Sequence, residues 1–334
     1  MINTLQMQMS SKVSSLIGQT PLVKINSLSE ITGNNIYAKC EHLNPGGSIK
    51  DRTALGLIQN AIKKGFIKAS TEVFEGTAGN TGIGLALLAH EFKYKCTLVM
   101  PNNQSAEKYH ILKALGANVI TVDPCPFTNE NHFYHQARIK ASEMPNSFWV
   151  NQFENTANFD IHFSTTGPEI WRQTGGQIDA FISAVGSGGT IAGVSQYLNL
   201  QNPDIHIRLA DPMGSGLYSY FNTHAFKSEG SSITEGIGIM RLTENFKKAK
   251  VDSATQINDD QMMSMLNHVA KNDGFIVGTS AAINLAASYE YALENKNKNI
   301  NIITVICDSG LRYADKIFNE AFLRSKGITL SNII

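Results

Sequence analysis

Eight short runs of β-branched and apolar residues alternate along the chain with longer stretches whose apolar positions recur at the spacing of a helix face. The runs are NIYAKC (35–40), TEVFEG (71–76), CTLVMP (96–101), NVITVD (118–123), FWVNQF (148–153), AFISAVG (180–186), IHIRLADP (205–212) and NIITVICD (301–308). Short apolar runs bounded by turn residues predict strands buried on both faces. The intervening stretches predict helices over Thr53–Lys64, Gly79–Phe92, Ala106–Leu115, His132–Glu143, Ile161–Gln173, Thr190–Leu200, Asp259–Asn272 and Thr279–Glu294. Such alternation predicts a parallel α/β architecture, because each parallel crossover lays a helix on a sheet face. Eight repeats would also suit a closed barrel. The irregular strand spacing and the long interruption at 213–258 favour open sheets in two lobes.

Composition narrows the function classes. A chain of 334 residues, 42% hydrophobic and 17% charged, can build one large domain or two medium ones. Basic and acidic residues balance at 28 each, which argues against nucleic acid or an anionic membrane as partner. No apolar run reaches the roughly 18–20 residues that span a bilayer. The N-terminal stretch MINTLQMQMSSKV has neither the basic nor the apolar segment of a secretory leader. Cys40, Cys96, Cys125 and Cys307 form no C-x-x-C pair. Cys96 and Cys307 fall in strand-like runs and are expected to be buried free thiols. Together these features predict a soluble cytoplasmic protein.

In open α/β sheets, ligands sit beyond the carboxyl ends of strands, so strand-to-helix turns should carry the chemistry. In VFEGTAGNTGIGLALLAH (73–90), Thr77, Asn80 and Thr81 interleave with Gly76, Gly79, Gly82 and Gly84. Capping a helix needs one such polar residue; three among four glycines suit gripping a carboxylate and a ring substituent. In AFISAVGSGGTIAGVSQYL (180–198), Gly186, Ser187, Gly188, Gly189 and Thr190 form a phosphate cradle at a helix start. It lacks the Lys of a Walker loop and the glycine register of a dinucleotide turn, although Asp211 lies about where a ribose contact would. In NIITVICDSGLRYADKIF (301–318), Ser309 stands at an N-cap position. A fourth turn, HLNPGGSIKDR (42–52), sets Lys50 behind two glycines at the mouth of a helix. A phosphate cradle, a polar cluster for a ring and a carboxylate, and one special lysine fit pyridoxal 5′-phosphate, whose aldehyde needs a lysine for a Schiff base.

From about Ile17 to Leu323 the chain resembles the cysteine synthase (O-acetylserine sulfhydrylase) family and, more broadly, the fold-type II pyridoxal-phosphate enzymes. The resemblance is carried in order by IGQTPLVKI (17–25), NPGGSIKDR (44–52), EGTAGNTGIGLA (75–86), NQFENTANFDIHFSTTGPEIW (151–171), GSGGT (186–190), EGIG (235–238) and CDSGLRY (307–313). It implies a tryptophan synthase β-like fold of two open, mainly parallel twisted sheets flanked by helices. The smaller, mobile lobe would run over 51–157, and the larger over 12–50 plus 158–325. It further implies Lys50 as cofactor tether and general base, and Asn80 on the ring hydroxyl oxygen. Gly186, Ser187, Gly188, Gly189 and Thr190 would lie on the phosphate, with Ser309 at the pyridine nitrogen. Thr77, Ala78, Gly79, Thr81 and Gln152 would bind the substrate carboxylate. The implied reaction makes L-cysteine from O-acetyl-L-serine and sulfide through an aminoacrylate, with a serine hydroxyl at the ring nitrogen restraining the electron sink. A homodimer, and docking of a serine acetyltransferase tail, are the implied protein partners.

Some positions depart from the family pattern. Ala78 stands where many relatives have serine, Ala281 and Ala282 where they have serine and glycine, and 210–221 differs as well. These changes bear on substrate choice, and related β-replacement or elimination (cystathionine β-synthase-like or desulfhydrase) stays open beside cysteine synthesis. A nicotinamide-dependent oxidoreductase would use the glycine loop and Asp211, but leaves Lys50 and the Asn80 cluster unexplained. His132 and His135 share a helix face but lack a third metal ligand at suitable spacing, so no metal is expected.

Overall fold

The computed structural model describes residues 10–77, 79–103, 106–330 and 333. Ala78 and most of the N-terminal stretch considered above lie outside them. The strands are β1 (Leu22–Lys24), β2 (Asn35–Cys40), β3 (Glu72–Gly76), β4 (Lys95–Pro101), β5 (Asn118–Val122), β6 (Ser147–Trp149), β7 (Ala180–Ala184), β8 (His206–Pro212), β9 (Ser253–Ile257) and β10 (Asn301–Ile306). They form a six-stranded sheet in the order β1-β2-β10-β7-β8-β9 and a four-stranded sheet in the order β5-β4-β3-β6. The β1–β2 pair is antiparallel and the other pairings are parallel, as the strand–helix alternation predicts.

The helices are α1 (Asn26–Thr32), α2 (Lys50–Lys63), α3 (Asn80–Phe92), α4 (Ala106–Ala114), α5 (Phe133–Glu143), α6 (Ala157–Ile161), α7 (Gly167–Gln173), α8 (Gly189–Gln201), α9 (Leu217–Thr223), α10 (Asp259–Asp273), α11 (Thr279–Glu294), α12 (Ala314–Ile317) and α13 (Glu320–Ser325). Side-chain alternation on β10 shows why its run is apolar throughout. Ile302 and Ile306 pack with Leu266 of α10 and Ile283 of α11, whereas Ile303 and Val305 pack with Ile170 of α7 and Val194 of α8. The four-stranded sheet has its own core, in which Leu57 and Ile58 of α2 and Leu85 and Leu88 of α3 meet Val73 and Leu98.

The structure differs from the sequence expectation at several points. β6 ends at Trp149 instead of running to 153, because Asn151 takes a left-handed backbone (φ 53). Its N–H and that of Gln152 donate to the Glu75 carboxyl at 2.8 and 3.3 Å, not to a ladder. The helix expected over Ile161–Gln173 is α6 and α7 joined by a π-helical turn at His162–Thr166. The interruption at 213–258 hides α9 and the edge strand β9.

One buried cluster ties these elements to the start of α2. Arg52 donates to Glu41 through Nε and Nη2, both at 2.8 Å, and to Glu169 of α7 through Nη1 and Nη2, both at 2.7 Å. Lys39 of β2 donates to Glu169 at 2.7 Å and to the Thr20 carbonyl. All four charged side chains are at most 3% exposed, and their charges cancel. Burial alone would raise the Glu169 carboxyl, but Arg52 and then Lys39 hold it down at about 2. Arg52→Ala leaves buried Glu41 without a cation and Glu169 with Lys39 alone, and should cost about 3–5 kcal/mol in denaturant unfolding. Because the folded pKa of Glu169 is depressed, its stabilisation is complete above the ordinary glutamate range. Stability measured against pH should therefore fall as pH drops from 4.5 towards 2.

Candidate active site

A cleft of about 870 Å³ opens where β3, β7 and β10 end. It is lined from one sheet by Gly76, Thr77, Asn80 and Thr81, and from the other by Ala184, Gly186, Ser280 and Asp308. This is the position that parallel topology reserves for ligands.

Lys50 is the first residue of α2 and reaches into this cleft. Its turn is pinned from both sides. Gly46 N–H donates to the Asp51 carboxyl at 2.6 Å, and Ile49 N–H donates to the Cys307 carbonyl at 2.9 Å. Gly46 and Gly47 are required there. A Cβ on Gly46 would fall 2.4 Å from Asp51 Oδ1, and Gly47 has φ +78. Burial lowers the Lys50 pKa, with only partial opposition from Cys307 and Asp308. Lys50 Nζ makes no ion pair among the described residues. The contrast is Lys39, fully buried and matched to Glu169.

Facing Lys50, close backbone packing excludes side chains from Gly186 and Gly188 in the loop after β7. A Cβ on Gly186 would meet the Gly236 carbonyl at 2.2 Å, and one on Gly188 (φ +90) would meet Phe246 N at 2.7 Å. Gly186, Ser187, Gly188 and Thr190 line the cleft at the start of α8, while Gly189 turns towards Asn158. Asn158 Nδ2 donates to Ser187 Oγ at 2.8 Å, and Thr190 Oγ1 lies 3.3 Å from His162 Nε2. Backbone N–H groups, two hydroxyls and a helix start make an anion site.

Thr77, Gly79, Asn80, Thr81 and Gln152 gather on the other wall. Thr81 Oγ1 donates to Gln152 Oε1 at 2.6 Å, and the Gln152 side chain also hydrogen-bonds the Glu75 carboxyl. Beneath them Glu75 is pushed up to about 8 by burial, against its bonds from Gln152 and Asn151. A carboxyl kept largely neutral there does not repel an incoming carboxylate.

Ser309 is not brought to the cleft. Its backbone bridges to Val277, its Oγ donates to the Ile276 carbonyl at 3.3 Å, and it accepts from Leu311 N–H at 3.3 Å. Two residues that the sequence reading passed over line the cleft instead: Asp308, 1% exposed, and Ser280 in the first turn of α11. A hydroxyl beside a helix start inside VGTSAAIN was the available signal for Ser280. Cys307 also lines the cleft and is half-buried, so of the two thiols expected to be buried only Cys96 is fully so; all four cysteines are free. Asp211 lies away from the cleft, and its Oδ2 accepts from Tyr218 N–H at 2.8 Å at the start of α9. That leaves the nicotinamide reading without its acidic partner. The cradle that a Cβ would fill, the lysine without a counter-ion and the donors on the opposite wall fit pyridoxal phosphate.

Comparison with known proteins agrees with this chemistry. Residues 13–308 match the family model described as pyridoxal-phosphate dependent enzyme. Cysteine synthase 1 of Emericella nidulans is 44% identical over 317 residues, covering 93% of this chain and 85% of that protein. Cysteine synthase 2 of Schizosaccharomyces pombe is 44% identical over 338 residues, covering 95% and 85%. The crystal structure of O-acetylserine dependent cystathionine beta-synthase from Helicobacter pylori superposes with a TM-score of 0.84 at 34% identity, covering 93% of this chain and 99% of that one. On its site, its fold and these relatives, the chain belongs to the pyridoxal-phosphate dependent enzyme family.

Proposed function

We propose that this chain makes L-cysteine from O-acetyl-L-serine and sulfide, by replacement at the substrate Cβ with pyridoxal phosphate as cofactor. The observation that carries the reading is one cleft in which an unpaired Lys50 faces both the Gly186–Thr190 cradle and the Thr77–Thr81 cluster. Relatives named cysteine synthase at 44% identity support it.

In this reading Lys50 tethers the cofactor, Gly186, Ser187, Gly188, Gly189 and Thr190 with the start of α8 take its phosphate, and Asn80 donates to its ring oxygen. Ser280, not Ser309, meets the ring nitrogen, where a neutral hydroxyl leaves the nitrogen unprotonated. Bound there, the cofactor supplies an electron sink for the pair left on the substrate Cα. Thr77, Thr81, the Gly79 N–H and the Gln152 amide hold the substrate carboxylate, and the Cα proton passes to Lys50. Burial lowers the proton affinity of Lys50, which favours the free amine that a base needs. Acetate departs from Cβ, sulfide bonds to the same carbon, and Lys50 returns the proton to Cα.

The smaller lobe, 51–157, closes on the larger, 12–50 plus 158–325, to keep water from the reacting carbon. Ion pairs of Lys108 with Glu235 and of Glu154 with Arg241 support this, since each joins the two segments. A homodimer, a docked serine acetyltransferase tail and a cytoplasmic location complete the reading. Among the described residues no helix is long and apolar enough to cross a membrane. A second reading uses a thiol amino acid as nucleophile. It is favoured by the cleft's extension past Lys50 to Phe127 and Arg241, and by the likeness to the Helicobacter pylori enzyme.

Product analysis with O-acetylserine should yield cysteine faster with sulfide than cystathionine with homocysteine; the reverse ratio sinks the first reading. Lys50→Ala should cut turnover by roughly 10²–10⁴-fold, with the fold intact by circular dichroism. Gly188→Ala, forced into a left-handed backbone against Phe246, should weaken cofactor binding at least about tenfold in a fluorescence titration.

A further inference from the structure

The Asn80 side-chain amide is held at both ends. Its Nδ2 donates to Asp308 Oδ2 at 2.6 Å, and its Oδ1 accepts from the Arg312 guanidinium. A guanidinium only donates, so the amide oxygen must face Arg312 and the nitrogen must face Asp308. This holds whichever protonation state Asp308 adopts, because a carboxyl group always keeps an acceptor oxygen. Asp308 is itself fixed: Tyr313 Oη donates to the same Oδ2 at 2.5 Å, and its backbone pairs with Ser48 in the turn before Lys50. Arg312 also donates to the Gly46 carbonyl in that turn. The three side chains therefore join the Lys50 turn to the first residue of α3.

Asn80 Nδ2 carries two hydrogens, and Asp308 uses one. We propose that Asp308 is a positioning residue that keeps the second hydrogen aimed into the cleft, as a donor to the ring oxygen of the cofactor. The inference rests on the reading that Asn80 meets that oxygen. Arg312 anchors only the amide oxygen; without Asp308 the nitrogen end is unanchored and can swing about that contact, so that its second hydrogen no longer meets the ring oxygen. A donor at that oxygen stabilises its anionic form and leaves the shared proton on the nitrogen that links cofactor and lysine. That form absorbs in the visible; with the proton on oxygen the absorption moves to the near-ultraviolet.

The test loads wild type, Asp308→Ala, Asp308→Ser, Asp308→Asn, Asn80→Ala and the Asn80→Ala/Asp308→Ala double variant with pyridoxal phosphate. Each is read by absorption spectrum and by fluorescence titration of cofactor affinity. The Ala and Ser variants should each lose at least about half of the visible band to the near-ultraviolet and bind cofactor about tenfold more weakly. If one of them does not fold, the other gives the same reading. Asp308→Asn, which keeps an acceptor oxygen, should remain close to wild type. In the Asn80→Ala background, Asp308→Ala should change affinity by less than about twofold, because its effect passes through Asn80. A wild-type spectrum in both Asp308→Ala and Asp308→Ser overturns the proposal, as does a full tenfold loss in the Asn80→Ala background. A wild type with no visible band overturns the cofactor reading beneath it, so the two failures are told apart.

Discussion

Two cations and two carboxylates, taken out of water together behind the first turn of α2, determine where the lysine of the cleft stands. Removing any of these charges from water alone is costly, and only their mutual pairing makes the burial tolerable. That requirement acts at a distance from the cleft. Arg52 can satisfy Glu41 and Glu169 at once only if the end of β2, the start of α7 and the first turn of α2 keep one relative placement. Lys50 lies two residues before Arg52, so a neutral charge cluster on one side of the helix leaves an amine without an ion pair on the other.

The contrast between Lys39 and Lys50 shows how one fold assigns opposite tasks to the same residue type. Lys39 spends its charge on Glu169 and holds the scaffold together. Lys50 meets no carboxylate partner, so burial is free to lower its proton affinity, the state a tether and base needs. The cradle opposite obeys the same economy of contact. At Gly186 and Gly188 the backbone of the EGIG segment and of Phe246 leave no room for a side chain, so at these two positions the loop offers only its backbone.

Local chemistry was legible in the sequence wherever one short segment decides it. Glycines needed for close backbone approach, apolar runs buried on both sheet faces and a lysine behind Gly-Gly-Ser can each be read without knowing what lies across the cleft. Features set by pairing between distant segments were not. Ser309 has a hydroxyl at a helix start, but the bridge to Val277 turns it away, and Asp308 and Ser280 reach the cleft instead. The charge cluster was hidden because Arg52 and Glu169 are far apart in the chain. β6 was over-extended because Glu75, on a neighbouring strand, draws the Asn151 and Gln152 N–H groups out of the ladder. β9 escaped notice because SATQI is half-exposed and polar at a sheet edge.

The most direct test of the claim that the fold singles out Lys50 is to load the protein with pyridoxal phosphate, reduce it with borohydride and map the modified peptide by mass spectrometry. One stoichiometric phosphopyridoxyl group is expected, on Lys50, abolished in Lys50→Ala and undiminished in Lys108→Ala. Stoichiometric labelling of Lys39, Lys108 or any other lysine in the wild-type protein, with Lys50 unmodified, would contradict that claim.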